Sequence, residues 1–367
     1  MTMNYPTVLN ITKYKIKGGG KNMNEKNWHL RIGVTSKCNF RCIYCNPNGL
    51  WENKEDTSFQ DLAEIIQAAY TNGITRIHWT GGEPTIRKDL PELMLEAKKI
   101  GITQQVITTN GDTLFNDINQ YVNSGLTRAI ISIDSLKPDR FAHLTGFKSL
   151  DNVLKTIEAC VSFLPTLTKL SVVTMRSTLD ELEDFFVYAN SLNHKGYKGK
   201  LAIKFNQFFP CNPHQLDKNG GLYWKNEYVE KEDILKTFQN ISNIVPIDRR
   251  AIDGDNPSYD YYLVEKYNLV IALLSMFSND YPCGRCHKLR VQPSGNLSFC
   301  LHQNETYKFT GKSLDEKIKL VSELMKQREA LDISEPNRKH FRAQLGELRF
   351  GKVNQPKDIY YFKSLVK

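Results

Sequence analysis

Long apolar runs are missing from this chain. No stretch approaches the 18 residues that a membrane-spanning helix needs. The first 25 residues are polar and hold none of the apolar core of a secretory signal. Blocks of like charge are missing too. The net charge is +9, yet Lys and Arg are scattered along the chain. That scatter argues against a nucleic-acid-binding tail and leaves either a polyanionic partner such as a nucleoside triphosphate or simply a solvated basic surface. No internal repeat is found beyond a strand–helix unit. We therefore expect a cytoplasmic protein with no membrane partner and no nucleic-acid partner. Without an export signal, the eight cysteines among 367 residues do not read as a disulfide framework, which belongs to small secreted chains. Metal ligation is the better reading.

What is present is ordinary in amount and ordered in pattern. Hydrophobic residues make up 40% of the chain and charged residues 24%, enough for a sizeable core in a soluble enzyme. Residues 1–26 read as a flexible lead-in broken by Gly18-Gly19-Gly20. Strand and helix then alternate. Strands are predicted over His29–Val34, Ile74–Trp79, Gln105–Thr109, Ala129–Ile133, Leu170–Met175 and Leu201–Phe208. Helices are predicted over Ser58–Tyr70, Leu90–Ile100, Asp117–Asn123, Pro138–His143, Leu150–Phe163 and Leu179–Leu192. Such alternation makes a parallel sheet with right-handed crossovers. Six units are too few for a closed eight-fold barrel. The expectation is an α/β fold: a partial (β/α)6 TIM-like barrel over residues 27–210, with a C-terminal cluster-binding extension over 211–367. Residues 211–280 read as irregular, and Val291–Cys300 as a hairpin turning at Pro293-Ser294-Gly295-Asn296. Helices are predicted over Leu314–Leu331 and Pro336–Leu345.

Six cysteines fall into two tight groups, Cys38/Cys42/Cys45 and Cys283/Cys286/Cys300. Structural zinc takes four ligands, and each group is one thiolate short. A [4Fe–4S] cubane suits the first group better: three thiolates hold three irons and leave the fourth open. An open iron can take the amino and carboxylate groups of S-adenosylmethionine, and one electron can then release a 5′-deoxyadenosyl radical. The group follows the first predicted strand, where barrels of this kind place function. Thr80-Gly81-Gly82-Glu83-Pro84 follows the second. Its glycines allow close backbone approach, and a carbonyl or Glu83 can take the methionine amino group. An ordinary glycine-rich turn is the alternative for that segment.

These residues resemble the radical S-adenosylmethionine superfamily, and within it the GTP 3′,8-cyclases that begin molybdenum-cofactor synthesis. The similar stretches are His29–Thr35 into the cysteines, Trp79–Leu90, Ile131–Leu136, Val173–Arg176, Cys283–Arg290 and Phe299–Leu301. The resemblance implies a second [4Fe–4S] cluster on Cys283, Cys286 and Cys300, again with an open iron where a purine binds. A closed zinc or cluster site, completed by Cys211 or a histidine, is the alternative there. The resemblance also implies that Tyr44, Gly81, Gly82, Glu83, Ser132 and Phe209 serve S-adenosylmethionine. It assigns Arg31, His78, Thr109, Lys169, Lys204, Lys288 and Arg290 to the substrate. An electron donor such as flavodoxin or ferredoxin is the further implied partner.

Departures from the family pattern fall on the substrate side. His78 and Lys204 stand where Arg is usual, His287-Lys288 replaces Asn-Arg, and Phe209 replaces Met before Pro210. Arg and Lys are not equivalent at bidentate phosphate sites. The family's Gly-Gly tail is not seen in Lys363–Lys367. These changes keep open a related radical enzyme acting on a peptide, or on a nucleoside in natural-product synthesis. A non-catalytic iron–sulfur or zinc module is the third reading.

Overall fold

The computed structural model describes residues 28–45, 55–197, 199–208, 226–248, 259–275, 287–298 and 306–330. Its spine is an 11-stranded sheet. Strands β1 (His29–Gly33), β2 (Arg76–Thr80), β3 (Gln104–Thr109), β4 (Leu126–Ser132), β5 (Thr168–Thr174) and β6 (Leu201–Gln207) lie side by side, all parallel. Helices α1 (Phe59–Thr71), α2 (Leu90–Ile100), α3 (Ile118–Asn123), α4 (Pro138–Thr145), α5 (Leu150–Phe163) and α6 (Leu182–Asn193) fall between them. Each strand buries alternate residues against this helical layer. Leu30, Ile32, Trp79, Ile107, Ile131, Leu170, Val172 and Phe205 are all wholly buried. The intervening residues face the concave side.

Helix boundaries have local causes. Ser58 caps α1 by accepting from the Asp61 N–H at 3.1 Å. Gly101 ends α2 at φ +120°, where an added Cβ would lie 2.6 Å from the Tyr70 ring. An arginine- and threonine-containing 3₁₀ segment, Arg176–Glu181, precedes α6, so that helix begins three residues after the predicted Leu179.

The region after residue 210 is more regular than its sequence suggested. It contains α7 (Lys231–Ile241), β7 (Ile244–Ile247), β8 (Asp260–Val264) and β9 (Leu269–Leu274). Only Ile234 and Phe238 of α7 are buried, so its apolar stripe is thin. β9 joins β6 in parallel, and β8 and β7 follow antiparallel. At the other end β10 (Lys288–Val291) joins β1 in parallel, followed by antiparallel β11 (Leu297–Ser298). The Gly295 turn of this predicted hairpin reaches the front of the fold, where the Pro293 carbonyl accepts from the Thr57 backbone N–H at 2.7 Å and its hydroxyl at 2.8 Å.

Eight parallel strands thus run in a row from β10 through β1 to β6 and on to β9, without closing. Helix α8 (Leu314–Ala330) packs on α1. Its buried Lys317 ammonium bridges Asp61 and Glu64, and the Ile318 carbonyl accepts from Asn72. No helix among the described residues is long and apolar enough to cross a membrane. The predicted lead-in and the helix over Pro336–Leu345 lie outside the described residues.

Candidate active site

Cys38, Cys42 and Cys45 sit on the loop leaving β1. None of the three forms a disulfide among the described residues. The loop is fastened from several sides. Thr35 donates to Asp56 at 2.7 Å, and the Ser36 N–H donates to the same carboxylate at 3.0 Å. The Arg41 and Ile43 N–H groups donate to the carbonyls of Thr145 and Leu144, at the end of α4. Asn39 donates to Asp112 and accepts from Asn110, both in the turn after β3. Burial pushes the Cys38 and Cys42 thiols up, so they ionise when a metal displaces the proton. Among the described residues no three His, Cys, Asp or Glu side chains converge on a single ion. Three cysteines on one fastened loop suit a cubane, in which each thiolate holds its own iron.

The Gly81-Gly82 pair clamps this loop. Gly82 N–H donates to the Thr35 carbonyl and Glu83 N–H to the Lys37 carbonyl, each at 2.8 Å. A Cβ on Gly82 would lie 2.1 Å from the Lys37 oxygen, and one on Gly81, at φ +145°, 2.4 Å from the Thr35 oxygen. Only glycine permits this approach.

Glu83 is buried and its carboxylate is taken up by the protein. It accepts from the Thr85 N–H (3.1 Å), the Thr85 hydroxyl (2.7 Å), the Thr109 hydroxyl (2.7 Å) and the Asn110 N–H (2.6 Å). Glu83 and Thr109 therefore brace the turns after β2 and β3, and the glycine backbone is left to meet a ligand. Tyr44 donates to Asp134, which also accepts from the Val173 N–H at 2.7 Å. Burial raises Asp134 to about 6. Ser132 ends β4, two residues before Asp134.

The concave side of the sheet is cationic. Arg290, Arg31 and His78 form one row across β10, β1 and β2. His29 and Lys288 form the row beneath. Lys169 and Lys204 enter from β5 and β6. Burial, then Arg290, lowers Arg31 to about 10. Burial, then Arg31, Lys169 and Lys288, lowers Lys204 to about 7. His78 is held neutral by burial and by the same cations, with Nε2 2.5 Å from the Thr108 hydroxyl. His29 is lowered to about 3 by burial, then Arg76 and Lys288. Among the described residues no carboxylate pairs with Arg31, His78, Lys204 or Arg290, and the buried Arg290 Nε has no hydrogen-bond partner.

The structure thus gathers Arg31, His78, Lys169, Lys204, Lys288 and Arg290 into one interior, and places Tyr44, Gly81, Gly82, Glu83, Ser132 and Thr109 around the cysteine loop. Phe209, Cys283, Cys286 and Cys300 lie outside the described residues. Sequence reading missed His29, Asp134 and the Asn39–Asn110–Asp112 network. Only His29 left a signal, being two residues from Arg31 on the same strand face.

An open α/β barrel with three cysteines on the loop that leaves the carboxyl end of its first strand is the arrangement of the radical S-adenosylmethionine enzymes. The family model described as "Radical SAM superfamily" matches residues 32–189. A GTP 3′,8-cyclase of Alkaliphilus oremlandii is 30% identical over 281 residues, covering 75% of this chain and 81% of that protein. One from Clostridium botulinum is 29% identical over 76% of this chain and 82% of its own length. The molybdenum cofactor biosynthesis protein moc-5 of Caenorhabditis elegans is 32% identical, and the match covers 75% of this chain and 44% of that protein. Among solved structures, Streptococcus suis SuiB bound to precursor peptide SuiA aligns with a TM-score of 0.55 at 15% identity, over 93% of this chain and 76% of that one. The enzyme anSMEcpe with bound AdoMet aligns with a TM-score of 0.56 at 15% identity, over 85% of each chain. The chain belongs to the radical SAM superfamily and, within it, to the family of GTP 3′,8-cyclases. That membership implies a [4Fe–4S] cluster and S-adenosylmethionine.

Proposed function

We propose that this chain is a radical enzyme that binds a nucleoside triphosphate in its barrel and cyclises it, with GTP as the substrate. The observation that carries the reading is the cationic interior below the cysteine loop. Cations gathered in a low-dielectric site repel one another and lose hydration. A triphosphate entering among Arg31, Lys169, Lys204, Lys288 and Arg290 offsets both costs, and arginine offers it a bidentate fork. The curated relatives named GTP 3′,8-cyclase support the same substrate.

Cys38, Cys42 and Cys45 would hold the cluster, with the Gly81-Gly82 backbone beside the S-adenosylmethionine. When bound and reduced by one electron, the pair would supply hydrogen-atom abstraction from carbon. The chain's own residues do the positioning. Glu83 and Asn110 fix the turns that shape the mouth, Tyr44 and Asp134 fix the loop, and the cationic rows hold the phosphate end so that the ribose faces the mouth. Ring closure would join the ribose carbon to the purine by opening a C=N π bond, and one further electron from the donor with one proton would quench the radical left on the ring. Cys283, Cys286 and Cys300 would hold a second cluster and present an open iron to the purine. A small electron-transfer protein such as flavodoxin or ferredoxin would deliver the electron.

Peptide modification is the second reading. The peptide-bound neighbours share the fold at 15% identity, which supports the fold alone, and a peptide has no general use for an interior of this charge. Reduced, cluster-loaded protein incubated with GTP and S-adenosylmethionine is expected to yield 5′-deoxyadenosine and a cyclised nucleotide. S-adenosylmethionine cleavage with no GTP-derived product would contradict the reading.

A further inference from the structure

Two tyrosines, Tyr259 just before β8 and Tyr261 within it, reach the cationic interior from outside the six-strand barrel. Lys204 Nζ lies 5.1 Å from the centre of the Tyr259 ring, and Lys169 Nζ 5.9 Å from that of Tyr261. Both distances are within cation–π range. Tyr259 and Tyr261 are 5% and 3% exposed, so the contacts are desolvated, where such pairs count most. They form a small apolar cluster of their own with Ala272.

The sheet makes room for this reach with alanine. Lys169 pairs in register with Ala202, Lys204 with Ala272, and Ala272 with Tyr261. A larger side chain at either alanine would stand between ring and ammonium. The Tyr259 ring is also anchored. Its hydroxyl donates to Asn206 at 3.2 Å, and Asn206 donates to Ser171 at 3.0 Å, so β5, β6 and β8 are tied on the concave side.

The geometry points to Tyr259 and Tyr261 as positioning residues of the anion site: their rings seat the Lys204 and Lys169 ammonium groups in the barrel interior, ready for a phosphate chain. The inference rests on the anion-binding reading above and deepens it. The two lysines are flexible point charges where an arginine fork would align itself, and the rings supply the alignment. Lys204 faces Arg31 on β1, Lys169 on β5, Lys288 on β10, His78 on β2 and Tyr259 just before β8, and β9 sets the uncharged Ala272 in register with it. Burial, then Arg31, Lys169 and Lys288, lowers Lys204 to about 7, so an anion seated beside it favours its charged form and draws a proton onto it.

The test uses inorganic tripolyphosphate and cluster-loaded protein, with affinities from calorimetry. Tyr259→Leu is expected to weaken binding about tenfold at pH 7.5, and Tyr259→Phe, which keeps the ring, by less than about twofold. With GTP, Tyr259→Leu is expected to raise KM and leave kcat unchanged. Independently of that variant's folding, wild-type affinity relative to Lys204→Arg at the same pH is expected to fall about tenfold between pH 7 and 9. Equal binding by wild type and Tyr259→Leu, equal loss in Tyr259→Phe and Tyr259→Leu, or a wild-type to Lys204→Arg ratio that does not move with pH would each overturn the proposal. Tripolyphosphate binding with the expected pattern, without GTP turnover, would uphold it and refute only GTP cyclisation. Absence of tripolyphosphate binding to wild type would overturn both.

Discussion

Lys204→Met is expected to make the ligand-free protein more stable while weakening its hold on anions. The structure sets the magnitude. Lys204 falls from its ordinary 10.5 to about 7, and at about 1.4 kcal/mol per pH unit the strain in its charged form is capped at about 5 kcal/mol. The ring of Tyr259 returns about 1–2 kcal/mol of this, which leaves a gain of about 3 kcal/mol at pH 7. The sign follows from proton linkage. Between pH 7 and 10.5 the unfolded chain binds a proton at this lysine that the folded chain has lost, so wild-type stability rises with pH across that window. The advantage of Lys204→Met is therefore largest at pH 7 or below and disappears near pH 10.5. Anaerobic urea unfolding of the cluster-loaded proteins at pH 7 and 10 reads both numbers. A variant less stable than wild type, by the same amount at both pH values, would refute the claim that the interior is held under cationic strain.

Other expectations come from the cysteine loop and the rear cysteines. Gly82→Ala is expected to abolish stable iron loading, measured by iron content, because its Cβ would lie 2.1 Å from the Lys37 carbonyl that leads into Cys38. Glu83→Gln leaves one of four donors facing an amide N–H in a buried site; a loss of about 1–3 kcal/mol in urea unfolding is expected. Cys42→Ala should eliminate reductive cleavage of S-adenosylmethionine, followed as 5′-deoxyadenosine. Cys286→Ala should keep uncoupled cleavage and lose cyclised product; full product formation would show that the rear cysteines do not anchor the substrate.

The front of this fold was plain in the sequence because its signals are local. Leu90–Ile100 and Leu150–Phe163 form the helices that their apolar spacing and flanking residues dictate, and each strand is marked by the motif that follows it. The three front cysteines were equally plain, since their chemistry is set by spacing along one loop. The rest depends on pairing between distant strands. Nothing in Tyr259-Asp260-Tyr261 announces that its tyrosines reach lysines on β6 and β5; that contact exists only because β9 joins β6 and β8 joins β9. Glu83 follows two glycines and so reads as a ligand group, but two of its four donors, the Thr109 hydroxyl and the Asn110 N–H, reach it only because β2 pairs with β3.

The central claim is that the radical made at Cys38, Cys42 and Cys45 acts on the ribose of a nucleotide held in the cationic barrel. Mass spectrometry of 5′-deoxyadenosine from a reaction with ribose-deuterated GTP tests it most directly. The account requires one deuterium in the 5′-deoxyadenosine, formed in step with loss of GTP. Undeuterated 5′-deoxyadenosine, formed at the same rate with or without GTP, would contradict it.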